Sequence, residues 1–500
     1  MPRELPHRGG SVAPLPSRTG GGWRLRVVTL SAAVTAACLA GCAPSQTEDA
    51  ALARSVSGVP DALTRGDRHP VPADAPLSLE EALRLTLERN ERLLIAGERY
   101  VAALAERQRR ASSLLPTLDF AALFAARDRT EPSERRTTFD AGPTAQYTLL
   151  TGMSDFAGVD AAELDAEAVR WLALDLREAL LLDTAAAYYI VTAADQLSDV
   201  LASSESVQQE RLRDIQARRE VGVARPLDVA QIEAQLSRTR ATQLEARQIA
   251  TEARVALALL ADEPVATRRL TDGWEAPAFP EREELLRMAA QSRADLRALE
   301  ERVRSARRVV DAAIGRYAPS VSVNLEWFLT RQSIPSERDW TALLSLQIPI
   351  FSAGRIEADV RAAWSGFRSS LLALSLARRE VEAAVDGART RVLATQAREA
   401  EFMRLVELTR ETLRQAEGSY AAGLGTNLER LVAQDALLSA ELELARVSAE
   451  RKIASLSLLR AIGLLGEGTL RLPPLPPRDD RPLPESPFVR VAPLGAAEEN

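Results

Sequence analysis

Two periods of apolar residues divide this chain. Over "SVSVNLEWFLT", Ser320 to Thr330, the period is two: Val321, Val323, Leu325, Trp327 and Leu329 face one way, and Ser320, Ser322, Asn324, Glu326 and Thr330 the other. That alternation predicts a half-buried strand. Three more stretches behave alike. Leu118, Phe120, Ala122 and Phe124 share a face, as do Phe139, Ala141, Pro143, Ala145, Tyr147 and Leu149. Trp340, Ala342, Leu344, Leu346, Ile348 and Ile350 form the fourth row. The expected strands cover about 117–126, 138–150, 320–330 and 340–350, each long enough to cross a bilayer when tilted. Pro143 and Pro349 remove ladder donors and belong at strand ends or bulges.

Elsewhere the period is helical. Neither Gly nor Pro occurs between Gly158 and Gly222, which predicts a rod of roughly 95 Å. Its apolar residues fall on two rows. Val169, Leu172, Leu176, Ala179, Ala186, Ile190, Ala193, Leu197 and Val200 form one, and Trp171, Leu174, Leu181, Ala185 and Tyr188 the other. A second rod repeats the theme, with Val360, Phe367, Leu374, Val381, Ala388 and Phe402 beside Trp364, Leu371, Val385, Val392, Val406 and Leu413. One seam makes a coiled-coil pair; two let a helix stand between neighbours in a wall. A plain helical bundle shares these seams.

The chain is also written twice, at a period of roughly 200 residues. "LLPTLDFAALF" parallels "YAPSVSVNLEW", and "EVGVARPLDVAQIEAQL" parallels "AAGLGTNLERLVAQDAL". Each repeat, 77–270 and 281–465, reads helix, two strands, long helix, tight turn, helix. The turns, at 222–226 and 423–426, carry Val221, Gly222 and Val223 in the first and Gly423, Leu424 and Gly425 in the second. Glycine permits the reversal, Pro226 suits a first helical position, and the apolar Val223 and Leu424 suit docking as well as turning. Asp228 and Glu429 follow in the first turns of the returning helices, where carboxylates complement the helix dipole.

Composition narrows the chemistry. The chain is acidic, net −7 with a pI near 5.4, so nothing suggests nucleic acid. Both histidines (His7, His69) and both cysteines (Cys38, Cys42) precede residue 77. The body therefore has no imidazole base, thiolate or soft-metal ligand, and no enzyme or resident metal is expected. Lys452 is the sole lysine. At the N-terminus, Arg24 and Arg26 precede an apolar run from Val27 to Leu39, too short to span a bilayer, ending in "LAGC". This is similar to a lipoprotein signal, residues 1–42, with Cys42 acylated; a plain secretory signal is the alternative. A tether over 43–76 and a Pro-rich, extended or disordered tail over 472–500 complete the chain.

Four strands cannot close a barrel alone, and lipid forbids open edges. Either the sheet is soluble and covered on one face by helices, in a lipid-tethered periplasmic scaffold, or several copies pool their strands. The duplicated plan, with "LSLQIPIFSAGRIEADV", "LSLEEALRLTLERNERL" and the two turn phrases, resembles the TolC-like outer-membrane factors of tripartite efflux pumps, of the lipoprotein type. The resemblance implies a mainly α chain of long antiparallel hairpins. Three copies would form an α-barrel continued by a transmembrane β-barrel of twelve strands, four per chain. It further implies a homotrimer in the bacterial outer membrane, meeting a periplasmic adaptor and an inner-membrane transporter, with acidic residues such as Asp228 and Glu429 at the periplasmic mouth. A channel for type I protein secretion shares the architecture. Trp327 and Trp340 suit a membrane rim or ordinary packing. The first repeat departs from the family: "LLTGMSDFAG" replaces "P-[LI]-F-x-x-G", and Arg219 stands where the second repeat has Tyr420.

Overall fold

In the computed structural model the described residues are 49, 51–53, 76–128, 136–265, 268–333, 338–472, 483–484 and 494–495. The chain divides into two units, 1–51 and 52–500, and the second holds every element below.

The repeat is exact in the lengths of three helix pairs. The first runs β1 (Leu77–Ser78), α1 (Leu79–Arg89), α2 (Glu91–Ser112), β2 (Thr117–Ala126), β3 (Thr137–Thr151), α3 (Ser154–Glu220) and α4 (Pro226–Ala261). The second runs β4 (Leu270–Thr271), α5 (Arg282–Ser292), α6 (Ala294–Gly315), β5 (Ser320–Trp327), β6 (Trp340–Gln347), α7 (Arg355–Ala421) and α8 (Asn427–Ala461), with α9 (Leu465–Leu470) after it. α1 matches α5 at 11 residues, α2 matches α6 at 22, and both long rods have 67. Each rod is thus about 100 Å long.

The helices form a single-layer wall. Beside the sheet its order is α2, α3, α6, α7; beyond the mid-point it is α4, α3, α8, α7. α3 therefore always stands between two neighbours, as its two rows require. Trp171 and Leu174 pack on Ala294 and Ala298 of α6, while Leu197 and Val200 join a cluster with Ala246 and Leu438. α7 differs from expectation. Phe367, Leu371, Leu374, Val381, Val385, Ala388, Val392 and Val406 are all buried, so the two rows interleave at steps of four and three into one seam. The reason is position: α7 is the wall's edge in both halves and has neighbours on one side alone.

At the middle, β1 and β4 pair in parallel, Leu77 opposite Leu270. The Tyr188 hydroxyl lies 2.9 Å from the Leu77 carbonyl and 2.7 Å from that of Thr271. Here the largest core gathers Leu79, Leu83, Leu285, Leu286, Ile462 and Leu465. The sole lysine belongs to this belt: Lys452 pairs with Asp272 and donates to the Trp274 carbonyl at 2.9 Å. Three described residues of the Pro-rich tail are held rather than loose. Leu483 and Leu494 pack on the core, and the Gly495 N–H donates to Glu382 at 2.8 Å.

The remaining strands form one sheet in the order β2, β3, β5, β6, antiparallel throughout. β2 has the expected span, and β3 is slightly longer than expected. β5 and β6 stop at Trp327 and Gln347, short of the 330 and 350 expected. Pro349 falls beyond β6. Pro143 lies inside β3, one residue past the last β3–β5 pair, Thr144 with Glu326, where no donor is needed on that side.

Candidate functional site

Register decides what the sheet can do. Leu118 faces Ala145, Phe120 faces Pro143, Ala122 faces Ala141, and Phe124 faces Phe139. Onward, Ala145 faces Leu325 and Tyr147 faces Val323, then Val321, Val323, Leu325 and Trp327 face Leu346, Leu344, Ala342 and Trp340. The four apolar rows thus merge into one continuous face. A bulge after Thr148 keeps them aligned: Leu149 is the extra residue, and Leu150 takes the place opposite Val321 that plain alternation assigns to Leu149. Asp119, Thr144, Gln146, Asn324, Glu326 and Ser345 line the other face.

No helix covers either face among the described residues. Leu118 is 76% exposed and Leu344 68%. A soluble sheet packed under helices is therefore not what the chain builds. Among the described residues β2 and β6 leave their outer edges unpaired, and they run in opposite directions. A second copy can add β2 beside β6 and continue the antiparallel ladder.

The junctions from sheet to rod are alike despite their sequences. Gly152 and Met153 both take positive φ, 62° and 68°, and so do Ala353 and Gly354, 50° and 82°. The unusual "TGMS" therefore makes the same turn as "SAGR".

The two tips lie at the far ends of the rods. Gly222 and Gly423 reverse the chain at φ 77° and 74°. Val221, Val223 and Leu424 are 74%, 75% and 88% exposed, apolar groups with nothing packed on them. Gly425 sits against Ser419 and Glu429. Beneath the tips the hairpins are joined: Ile215, Val229, Ile232 and Leu431 cluster, and Arg211 reaches across to Gln434 and Glu417. Tyr420 is flanked by two guanidinium groups, Arg430 at 4.2 Å and Arg218 at 5.6 Å.

The two acidic candidates are both committed to caps. Asp228 accepts from the Arg225 N–H at 3.1 Å and from its guanidinium at 3.1 and 3.2 Å. Those hydrogen bonds from the Arg225 side chain hold its carboxyl below the usual range. Glu429 is exposed and closes a reciprocal capping box: it accepts from the Thr426 N–H at 3.0 Å while its own N–H donates to the Thr426 hydroxyl at 3.2 Å. Sequence position placed both carboxylates in a first turn, but neither the capping hydrogen bonds nor the salt bridge from Arg225 was read from it. Cys42 and the signal lie outside the described residues. Among the described residues no acidic, His or Cys group forms a metal cluster, and no helix is long and apolar enough to cross a membrane.

Comparisons agree with this geometry. The family described as outer membrane efflux protein matches residues 82–262 and 285–464, one stretch per repeat. The multidrug resistance outer membrane protein MdtP of Escherichia coli is 28% identical over 178 residues, covering 34% of this chain and 36% of that protein. The match thus spans about a third of the relative's length. Among solved structures, a membrane protein from Pseudomonas aeruginosa superposes with a TM-score of 0.71 at 23% identity, over 77% of this chain and 93% of its own. The Neisseria gonorrhoeae MtrE outer membrane channel, in its open state, gives 0.67 at 20% identity, over 77% and 89%. These structural likenesses carry the fold. The chain belongs to the outer membrane efflux protein family, and it is an outer-membrane protein whose helices extend into the periplasm.

Proposed function

We propose that the chain is the passive exit duct of a tripartite export system, conducting small molecules across the periplasm and the outer membrane. One observation carries the reading: a four-stranded sheet with one wholly apolar, uncovered face and two free edges. In water such a sheet is an aggregation hazard; in lipid it is half of the expected pattern, apolar outward and polar inward. Three copies supply twelve strands, four from each.

The wall supports the same stoichiometric logic. Its edge rods expose apolar side chains, Leu244, Val255 and Leu259 on α4 and Leu372, Leu393 and Leu408 on α7. A neighbouring copy covers both edges and closes the tube. The exposed tip residues Val223 and Leu424 then meet a periplasmic adaptor, and an inner-membrane transporter supplies the energy. The duct itself performs no chemistry.

Acylation of Cys42 fits the chain's reach. Ala53 is packed beside Gly97 of α2, where a Cβ would overlap the Ala53 carbonyl. The roughly eleven residues from Cys42 to Ala53 extend at most about 36–40 Å. α2 needs only about 22 Å from Gly97 to its sheet-proximal end.

The test is solubility with the anchor removed. Exported Cys42→Ala protein should still need detergent, migrate as a trimer on chemical cross-linking, and conduct in planar bilayers. A water-soluble monomer with its sheet intact would refute the duct.

A further inference from the structure

β3 outruns its partner. Its ladder to β5 ends at Thr144 and Glu326, yet β3 begins seven residues earlier, at Thr137. The vacant edge is filled by the chain that leaves β5. The Ala141 N–H donates to the Thr330 carbonyl at 2.8 Å, and the Ala141 carbonyl accepts from Leu329 and Thr330 at 2.9 and 3.1 Å. The Phe139 N–H donates to the Gln332 side-chain carbonyl at 3.1 Å. Asp140 then caps the segment, its Oδ1 accepting from the backbone N–H groups of Gln332 at 2.7 Å and Ser333 at 3.1 Å.

The side of the sheet on which this happens is fixed by two residues. Gly142 and Asp140 point to the polar face, since both lie in the row of Thr144 and Gln146. A Cβ on Gly142 would overlap the Trp327 carbonyl and come within 3.1 Å of the Phe328 Cα. The segment therefore passes over Gly142 on the polar side before it rejoins the β3 edge at Ala141, and glycine is what lets it do so. Arg331 folds back with its guanidinium 4.2 Å from the Phe328 ring. All the helices leave from the opposite end of the sheet, so this crossing stands at the outward end.

We infer that Leu329–Ser333 is a strap docked against β3 at the lumenal side of the outward mouth, held there by Asp140 and narrowing the exit. The inference rests on the duct reading, which makes the polar face the lumen. In a closed ring each copy contributes one strap at the same height. The strap and its latch come from different hairpins of one chain, β5–β6 and β2–β3. Releasing it needs only the loss of these few hydrogen bonds, the Ala141–Thr330 bridge among them, while the ladders of β2 with β3, β3 with β5 and β5 with β6 stay intact.

The test uses the full chain. D140A removes the acceptor, D140N keeps an Oδ1 acceptor, and G142V fills the crossing with a side chain. In planar bilayers D140A and G142V should raise the open-channel conductance, whereas D140N should match the parent. In intact cells, S333C should react with a membrane-impermeant maleimide about tenfold faster when combined with D140A, the change expected for loss of roughly one charge-assisted hydrogen bond. Parent-like conductance in both D140A and G142V, or equal labelling rates with and without D140A, would overturn the strap while leaving the duct intact. If no protein conducts, the parent included, the duct reading fails and the mouth constriction fails with it.

Discussion

Trp327 stands directly opposite Trp340 across the β5–β6 ladder, and both indoles are more than half exposed, at 52% and 56%. They close the apolar face at its outward end, level with the point where the chain leaves the ladder. Amphipathic rings paired at the end of an apolar band suit the boundary between hydrocarbon and headgroups. Trp327→Ala with Trp340→Ala should leave the protein folded but lower its yield in the outer membrane, read by fractionation. An unchanged yield would reduce the pair to ordinary packing.

The two faces of β6 provide a sharper contrast. Leu344→Arg places a cation on the apolar face, which costs about 2–4 kcal/mol near a bilayer midplane. Ser345→Arg, one residue on, points into the proposed lumen. The first should abolish assembly in membranes. The second should assemble normally and shift the channel's ion preference towards anions, measured as a reversal potential.

At the first tip, Asp228 gives a signed pH dependence. Its carboxyl is held low by the Arg225 hydrogen bonds, so the folded hairpin binds its proton more weakly than the unfolded chain does. The stabilisation is fully present above the unfolded value of about 3.9 and is lost as pH falls through the lower folded value. Hydrogen exchange at α4's first turn should rise below about pH 4 in the parent. In Asp228→Ala it should already be raised at neutral pH, consistent with loss of a cap worth about 1 kcal/mol.

Glu429 separates capping from charge. Glu429→Gln retains an acceptor for the Thr426 N–H and removes the negative charge, whereas Glu429→Ala removes both. If the three copies ring the periplasmic mouth, both variants should weaken cation preference in single-channel recordings, and Ala alone should loosen the turn. Unchanged selectivity in Gln would confine Glu429 to its cap.

The tips should matter for partnership rather than for conduction. Val223→Asp with Leu424→Asp alters two exposed apolar side chains that support no core. Export in cells should fall, and cross-linking to the adaptor should disappear, while the purified pore conducts as before. Retained export would place the docking surface elsewhere.

Much of this was written in the order of residues. Alternation gave the four strands and the assignment of each residue to a face, because the pleat imposes a period of two wherever one face is apolar. The long gap free of Gly and Pro gave the rods, and the paired glycines gave the tips. The repeat was legible because the same phrases recur in the same order.

Other features required distant parts of the chain to meet. The two apolar rows on α7 became one seam because that rod has a single flank of neighbours, and position in the wall has no local signature. The bulge at Leu149 and the crossing at Gly142 depend on what β5 does nearly two hundred residues later. Asp228 read as a first-turn carboxylate facing the helix dipole, and its pairing with the Arg225 side chain emerged only in the fold. Local periodicity specifies elements because it reports on one face at a time. Register, edges and latches are pairings between faces, and those exist only once the chain has folded.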